Sequence, residues 1–335
     1  MNPCEFCQIT NWKLPFSMMN EKQIAPVQMS DVTPELRNPL LKLRLPSIGN
    51  RFGLGISRWL AKRAATEVLD GITVRLDEQP GRPPLRIYEP AAGRARPSAA
   101  LLWIHGGGFV SGLAKQDDRF CSEIVLKTGL LVVSVEYRLA PEHRFPDGLD
   151  DCLAAWRWLT EQASELGVDR ERIVVGGQSA GGGLAAVLVQ RLCDLGERPA
   201  GQLLFCPMLD DRTAANRALD RARNFIWENR TNRLAWRHYL GREPGSAELP
   251  QYAVAARREE LGGLPAAWLG IGDIDLFYQE NVAYVERLRA AGVEVDFEVV
   301  NGAPHAFEMF AFGAGVAVAQ RGSAHEWLKR LLAAE

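Results

Sequence analysis

No stretch of the sequence stays apolar for the ~20 residues that a membrane-spanning helix needs, so no membrane span is expected. Charge of one sign is missing as well. The chain carries 39 Lys and Arg against 41 Asp and Glu, a net charge of −2. That balance lacks the basic excess that marks a nucleic-acid partner, and it excludes a polyacidic disordered chain. Cysteine is scarce: six in 335 residues, at irregular spacing, do not make a disulfide framework. Cys4 and Cys7 form one CxxC, but no second CxxC or HxxxH lies near it to complete a zinc site, so no metal is expected. Met1 to Phe16 has no basic run followed by an apolar one, hence no secretory leader, and the expected setting is a reduced cytoplasm. There is no internal repeat and no low-complexity tract.

What is present is ordinary globular composition, 47% hydrophobic and 24% charged. At ~150 residues per domain the length suggests two units, although one α/β unit with an appended cap fits equally well. The first sixty residues hold Pro15, Pro26, Pro34, Pro39 and Pro46 among aromatics such as Trp12, Phe16, Phe52 and Trp59, a pattern of short helices and turns. Thr73–Leu76 and Leu85–Tyr88 read as two early strands around a turn rich in proline. From residue 100 a rhythm sets in. Strand-length apolar runs occur at Ala100–Ile104, Leu130–Tyr137, Arg172–Val175, Gln202–Cys206, Ala267–Ile271 and Val295–Val300. Helical patterns lie around Asp117–Lys127, Gly148–Leu166, Ala180–Leu195, Tyr278–Ala291 and Val316–Leu332. Strands apolar on both faces that alternate with amphipathic helices predict a mainly parallel sheet covered on both sides. Asp210–Glu248 interrupts the rhythm with arginines and aromatics and reads as part of a lid.

Gly177-Gln178-Ser179-Ala180-Gly181 follows one of those strands and opens a helix. A serine at so tight a strand-to-helix turn sits in a strained backbone conformation, with glycines two residues to either side relieving the crowding. The helix N-terminus then favours negative charge beside the hydroxyl. The bland alternative is a glycine-rich turn with an idle serine; the strand–turn–helix context argues against it. His105-Gly106-Gly107-Gly108-Phe109 also follows a strand, and three successive glycines let backbone N–H groups approach a developing oxyanion. A phosphate cradle is the rival reading, but no Gly-Lys-Ser/Thr follows. Gly181, Gly183 and Ala186 spell GxGxxA, yet they fall inside the helix, beyond the turn where a pyrophosphate would sit.

A nucleophilic serine needs a base, and the base needs an orienting carboxylate. Of five histidines, His105 belongs to the glycine loop, while His143, His238 and His325 read as structural or exposed. His305 lies on a loop leaving the C-terminal end of a strand, where open parallel sheets bind ligands. Asp273 and Asp275 leave the preceding strand in the same way, and Glu280 follows in the next helix. The order Ser179, Asp275, His305 is that of α/β-hydrolases.

These motifs, together with Tyr137–Glu142 (YRLAPE) and Pro304-His305-Ala306-Phe307, cover residues 85–330 in consistent order. The chain resembles the hormone-sensitive-lipase-like esterases, the bacterial family IV group of the α/β-hydrolase fold. The resemblance implies a mainly parallel sheet flanked by helices with a helical cap, divided into cap residues 1–61, core 62–209, cap insertion 210–248 and core 249–335. It implies a carboxylesterase for short- to medium-chain acyl esters with no cofactor and a small-molecule ester as partner; a homodimer is left open. Gly107, Gly108 and Ala180 would supply the oxyanion N–H groups, and Phe109, Trp227 and Trp236 an apolar acyl slot. It selects Asp275 over its neighbours, because in the family the acid precedes a helical tyrosine by nine residues, here Tyr284. It also implies cis peptides at Ala140–Pro141 and Phe145–Pro146. Two departures stand out: Gln178, where relatives often carry Asp, Glu, Thr or Ala, and Leu276-Phe277-Tyr278, where many have Pro-Leu-Arg. A non-catalytic receptor on the same fold is the alternative from another class; an amidase or thioesterase is the alternative among enzymes.

Overall fold

The computed structural model describes residues 25–42 and 48–333; the Cys4–Cys7 pair, Trp12 and Phe16 lie outside them. Eight strands form one sheet, β1 (Ile72–Asp77), β2 (Leu85–Pro90), β3 (Ser98–Ile104), β4 (Leu131–Val135), β5 (Val168–Gln178), β6 (Gly201–Phe205), β7 (Ala267–Gly272) and β8 (Val295–Val300). Their spatial order is β1-β2-β4-β3-β5-β6-β7-β8. β2 runs antiparallel to both β1 and β4, whereas every pair from β4 to β8 is parallel. β3 is the clearest case of a strand buried on both faces: all seven of its residues are buried. Its Leu101 and Trp103 face one core and Leu102 and Ile104 the other, as the two-residue period of a strand dictates.

The main helices are α1 (Arg51–Arg63), α2 (Asp118–Thr128), α3 (Asp147–Glu161), α4 (Ala180–Asp194), α5 (Asn229–Leu240), α6 (Tyr278–Ala290) and α7 (Gly315–Leu331). Phe120 and Ile124 of α2 and Trp327 and Leu328 of α7 cover one face of the sheet. Leu149 of α3, Leu184 and Leu188 of α4 and Tyr284 of α6 cover the other. Three details differ from the sequence reading. The helix expected over Gly148–Leu166 is broken at Gln162, which closes α3 before a separate turn, Ala163–Leu166. β5 is longer than expected because it begins at Val168, in a stretch whose Arg170 and Glu171 are exposed and carry no apolar pattern. Arg96–Pro97 is cis in addition to the two expected cis bonds, both of which are present.

Two segments lie over the C-terminal ends of the strands. In the first, Val32, Leu36 and Leu41 pack with Ala303 and Phe307, and Thr33 binds Gly302 and Asn301 through its N–H and hydroxyl. Further along it, Leu54 of α1 joins the main core; burying such a side chain contributes roughly 1.5–3 kcal/mol. Arg58 reaches the carbonyls of Val110 and Ala140, each at 2.8 Å. The second segment comprises a short helix (Asp211–Ala215), a 3₁₀ turn (Arg217–Arg221) and α5. Among the described residues, no helix is long and apolar enough to cross a membrane.

Candidate active site

Ser179 stands between β5 and α4 with φ 55° and ψ −119°, a backbone conformation that costs a non-glycine residue about 1–3 kcal/mol. Its surroundings explain the flanking glycines. A Cβ on Gly177 would fall 2.4 Å from the Gly181 carbonyl oxygen, and one on Gly181 would fall 2.0 Å from that of Ile104. The turn is fixed from outside as well, by a bond from Ser179 N–H to Phe205 O (2.9 Å) and one from Met208 N–H to Ser179 O (2.9 Å).

Ser179 Oγ lies 2.9 Å from His305 Nε2, and His305 Nδ1 lies 2.7 Å from Asp275 Oδ2. All three residues are buried. With its proton on Nδ1 facing the carboxylate, the imidazole offers Nε2 as the acceptor for the serine hydroxyl. Burial pushes the His305 pKa down, but the charge and hydrogen bond of Asp275, with a smaller push from Glu308, outweigh it and leave the pKa raised. Asp275 is itself braced at Oδ1 by the Phe277 N–H at 2.9 Å. Such an array can take a proton from a serine hydroxyl and hold the charge that results.

The neighbouring acids do other work. Asp273 accepts the Gly302 N–H at 2.6 Å and so ties together the turns after β7 and β8. Glu280, in the first turn of α6, accepts the N–H of Leu209 at 2.7 Å and of Asp210 at 3.2 Å, pinning the start of the 210–248 insertion. The other histidines likewise bond elsewhere: His143 to Asp147, His238 to the Ile48 carbonyl, and His325 beside Glu123. GxGxxA lies wholly within α4.

The 105–109 loop is bent by positive φ angles at Gly107 (124°), Gly108 (63°) and Phe109 (65°). The Gly107 carbonyl accepts the N–H groups of Val110 and Ser111, closing the turn. Among the described residues, the N–H groups of Gly107, Gly108 and Ala180 meet no backbone acceptor. His105 holds the loop from behind: its ring stacks on Tyr137 at 4.3 Å, and its carbonyl accepts the Tyr137 hydroxyl at 3.1 Å. Burial pushes its pKa down to about 4, so it stays neutral.

Trp227 lies against this loop. A Cβ on Gly108 would come within 2.4 Å of the indole. Phe109 stacks on Tyr239 with centroids 4.2 Å apart and meets Trp236 at 5.1 Å, joining the loop to α5. A cavity of about 660 Å³ opens nearby, rimmed by Glu35, Arg37, Glu67, Gln116 and Arg119, without reaching Ser179. Cys206, Asp275 and His305 bring ligand-type atoms within 4.8 Å of one another, but both imidazole nitrogens are committed to Ser179 and Asp275. The set is therefore organised for proton transfer, and no ion is assigned to it. Arg58, which binds the Val110 carbonyl, and Glu308, whose charge pushes the His305 pKa up, escaped the sequence reading: Arg58 lies far away in the chain, and Glu308 has the same look as any helical glutamate. Its place three residues after His305 was the only available signal.

A family model for the alpha/beta hydrolase fold matches residues 101–309. Ethyl acetate hydrolase of Pseudomonas putida is 35% identical over 227 residues, 67% of this chain and 71% of that protein. Carboxylesterase NlhH of Mycobacterium tuberculosis is 34% identical over 252 residues, 74% of this chain and 78% of that protein. Among solved structures, a bacterial heroin esterase superposes with a TM-score of 0.83 at 34% identity, covering 92% of this chain and all of that one.

Proposed function

The chain belongs to the hormone-sensitive-lipase-like esterases of the α/β-hydrolase family and is a carboxylic ester hydrolase, and we propose that it works through Ser179, His305 and Asp275 by an acyl-enzyme route. Ser179 attacks the ester carbonyl carbon while His305 Nε2 takes the hydroxyl proton. The negative charge moves to the carbonyl oxygen, which the N–H groups of Gly107, Gly108 and Ala180 receive. Asp275 keeps the imidazole in the tautomer that accepts the proton and stabilises the imidazolium. His305 then protonates the leaving alkoxide, the C–O bond breaks, and the acyl group stays on Ser179. Water repeats the sequence, releasing the acid and restoring the hydroxyl. No step needs a cofactor.

The observation that supports this reading most is the continuous chain of short contacts, 2.9 Å from Ser179 to His305 and 2.7 Å from His305 to Asp275. We assign the described residues 25–42 and 48–61, with 210–248, to the cap, and 62–209 with 249–333 to the core; the remainder of the expected 1–61 cap segment lies outside the described residues. Phe109, Trp227 and Trp236 are the slot for the acyl chain. The contact of Trp227 with Gly108 leaves little room there, which favours short to medium chains on a small-molecule ester. A fluorophosphonate probe tests the nucleophile: the wild-type protein is labelled and Ser179→Ala is not. Equal labelling of both would end the reading. A series of p-nitrophenyl esters of increasing length tests the slot, with rates expected to decline at long chains.

A further inference from the structure

We propose that Glu308 is a positioning residue for ester hydrolysis: with Gln178 and Cys206 it forms a second buried carboxylate network behind His305 that stabilises the imidazolium formed when Ser179 gives up its proton. The proposal rests on the reading of Ser179, His305 and Asp275 given above. Glu308 lies three residues after His305, in the short helix Phe307–Phe310 that starts from Ala306 at φ 58°. It is 1% exposed. Its Oε1 accepts from Gln178 Nε2 at 3.4 Å and from the Cys206 thiol at 3.7 Å. Gln178 is the residue immediately before Ser179. The Cys206 sulfur lies within 4.8 Å of both the Asp275 carboxylate and a His305 ring nitrogen. One carboxylate therefore joins the serine turn, the end of β6 and the histidine loop.

A buried carboxylate is costly unless something compensates it. Here Arg321 holds the Glu308 backbone, donating to its carbonyl at 3.0 Å, while its guanidinium is paired with Glu123 at 3.2 Å. Among the described residues, no cation is paired with the Glu308 carboxylate. Burial pushes its pKa up, and the principal counter-charge that draws it down is His305. Among the described residues, the polar and titratable groups facing His305 are Ser179, Asp275, Cys206 and Glu308. Burial keeps the Cys206 thiol protonated, so the two carboxylates are what offset a charged imidazole. Facing Glu308 there are also Asp117, whose own carboxyl is pushed by burial up to about 7, and the distant charge of Asp275. Charge on Glu308 is thus favoured when His305 becomes charged, which is the moment at which catalysis needs it.

The sign of the effect is unusual and makes the idea testable. Hydrolysis requires neutral His305 in the free enzyme, so activity is lost as pH falls through its raised pKa. Removing the Glu308 charge lowers that pKa while weakening the imidazolium in the transition state. In Glu308→Gln, kcat should fall by about tenfold, the scale of one pKa unit of interaction, with KM unchanged and the acid limb of kcat/KM moved to lower pH. Glu308→Asp keeps the charge and should retain the wild-type limb. Gln178→Leu, which removes the amide donor and so disfavours the charge, should move the limb in the same direction by a smaller amount. This second variant decides the matter should Glu308→Gln not fold. A Glu308→Gln enzyme with wild-type kcat and limb overturns the proposal; so does a slower enzyme whose limb has not moved. His305→Ala separates the two readings. If it is inactive while Glu308→Gln has an unshifted limb, the proposal alone is wrong; if it keeps activity within tenfold of wild type, the triad reading falls first and takes the proposal with it.

Discussion

β3 and β5 are hydrogen-bonded neighbours, and each ends in a glycine-rich turn, but the two turns solve opposite problems. The turn after β5 presents a side chain, Ser179, and is held by backbone, through the close packing around Gly177 and Gly181 and the bonds to Phe205 and Met208. A Cβ on Gly177 or Gly181 would fall 2.4 or 2.0 Å from a backbone carbonyl oxygen, so both positions are closed to any side chain. The loop after β3 presents backbone N–H groups and is held from a distance. Tyr137 and His105 support it from below, Arg58 binds the carbonyl of Val110, and Trp227 lies on Gly108. The turn that aims a side chain is fixed by backbone packed around it, whereas the loop that aims backbone is clamped largely by side chains.

Ser179→Ala is the largest break of this comparison. The variant should lose on the order of 10⁶ in turnover, as in a comparable triad, with its unfolding transition unchanged because a smaller side chain fits the same turn. Residual activity within tenfold of wild type would remove the serine from the chemistry. Asp275→Asn follows. It favours the wrong imidazole tautomer, for a loss of about 10⁴ in the template case. Asp273→Asn instead weakens the bond to the Gly302 N–H and should cost far less turnover. If the two variants ranked the other way while both stayed folded, the acid would be misassigned.

This contrast also explains what could be read from the sequence. The alternation of apolar runs with helical patterns is set by neighbours in the chain, so the strands from Ala100 onward were legible with ends shifted by a few residues. Ser179, His305 and the aspartates after β7 were legible too, because each leaves a strand end. Choosing Asp275 over Asp273 needed family spacing, since both have the same local pattern. Trp227 was legible as an aromatic in an insertion, but its position on Gly108 depends on how the 210–248 segment folds back. The left-handed residues Arg223 and Ile226 that turn this stretch carry no glycine to announce them. Glu308 was not legible as part of the site, because its partners Gln178 and Cys206 come from two other strand ends.

A sharper test lies within the 105–109 loop. Gly107 and Gly108 are both proposed donors, yet they differ in what a methyl group would meet. At Gly107 the φ is 124° and a Cβ would fall 2.1 Å from the Ser111 carbonyl oxygen, so Gly107→Ala should destabilise the fold as well as lose activity. At Gly108 the φ is 63°, which other residues adopt, and the obstacle is the Trp227 ring. Gly108→Ala should lose about 10²–10³ in turnover, the range for one oxyanion donor, with a smaller change in stability. Combining it with Trp227→Ala relieves the clash and should recover part of that loss. No recovery in the double variant would mean that the indole does not limit the loop.

The smallest expected effect comes from the support beneath the loop. Tyr137→Phe keeps the ring that stacks on His105 at 4.3 Å and deletes only the hydroxyl that donates to the His105 carbonyl at 3.1 Å. Burial raises the Tyr137 pKa, so at neutral pH the lost group is a protonated donor. A neutral hydrogen bond contributes about 0.5–1.5 kcal/mol net, and leaving a buried acceptor unpaired adds to the loss. Stability by denaturant titration should therefore fall by about 1–2 kcal/mol. Turnover should fall less than tenfold, because the Phe109 carbonyl, which accepts the Ala140 N–H at 2.9 Å, and the Arg58 bond at Val110 still hold the loop. Distributed support predicts that Tyr137→Phe and Arg58→Met each have modest effects and that their combination costs more than the sum. If Tyr137→Phe alone lost 10² or more in turnover at unchanged stability, the loop would depend on a single contact, as the serine turn does on its glycines, and the contrast between the two turns would collapse.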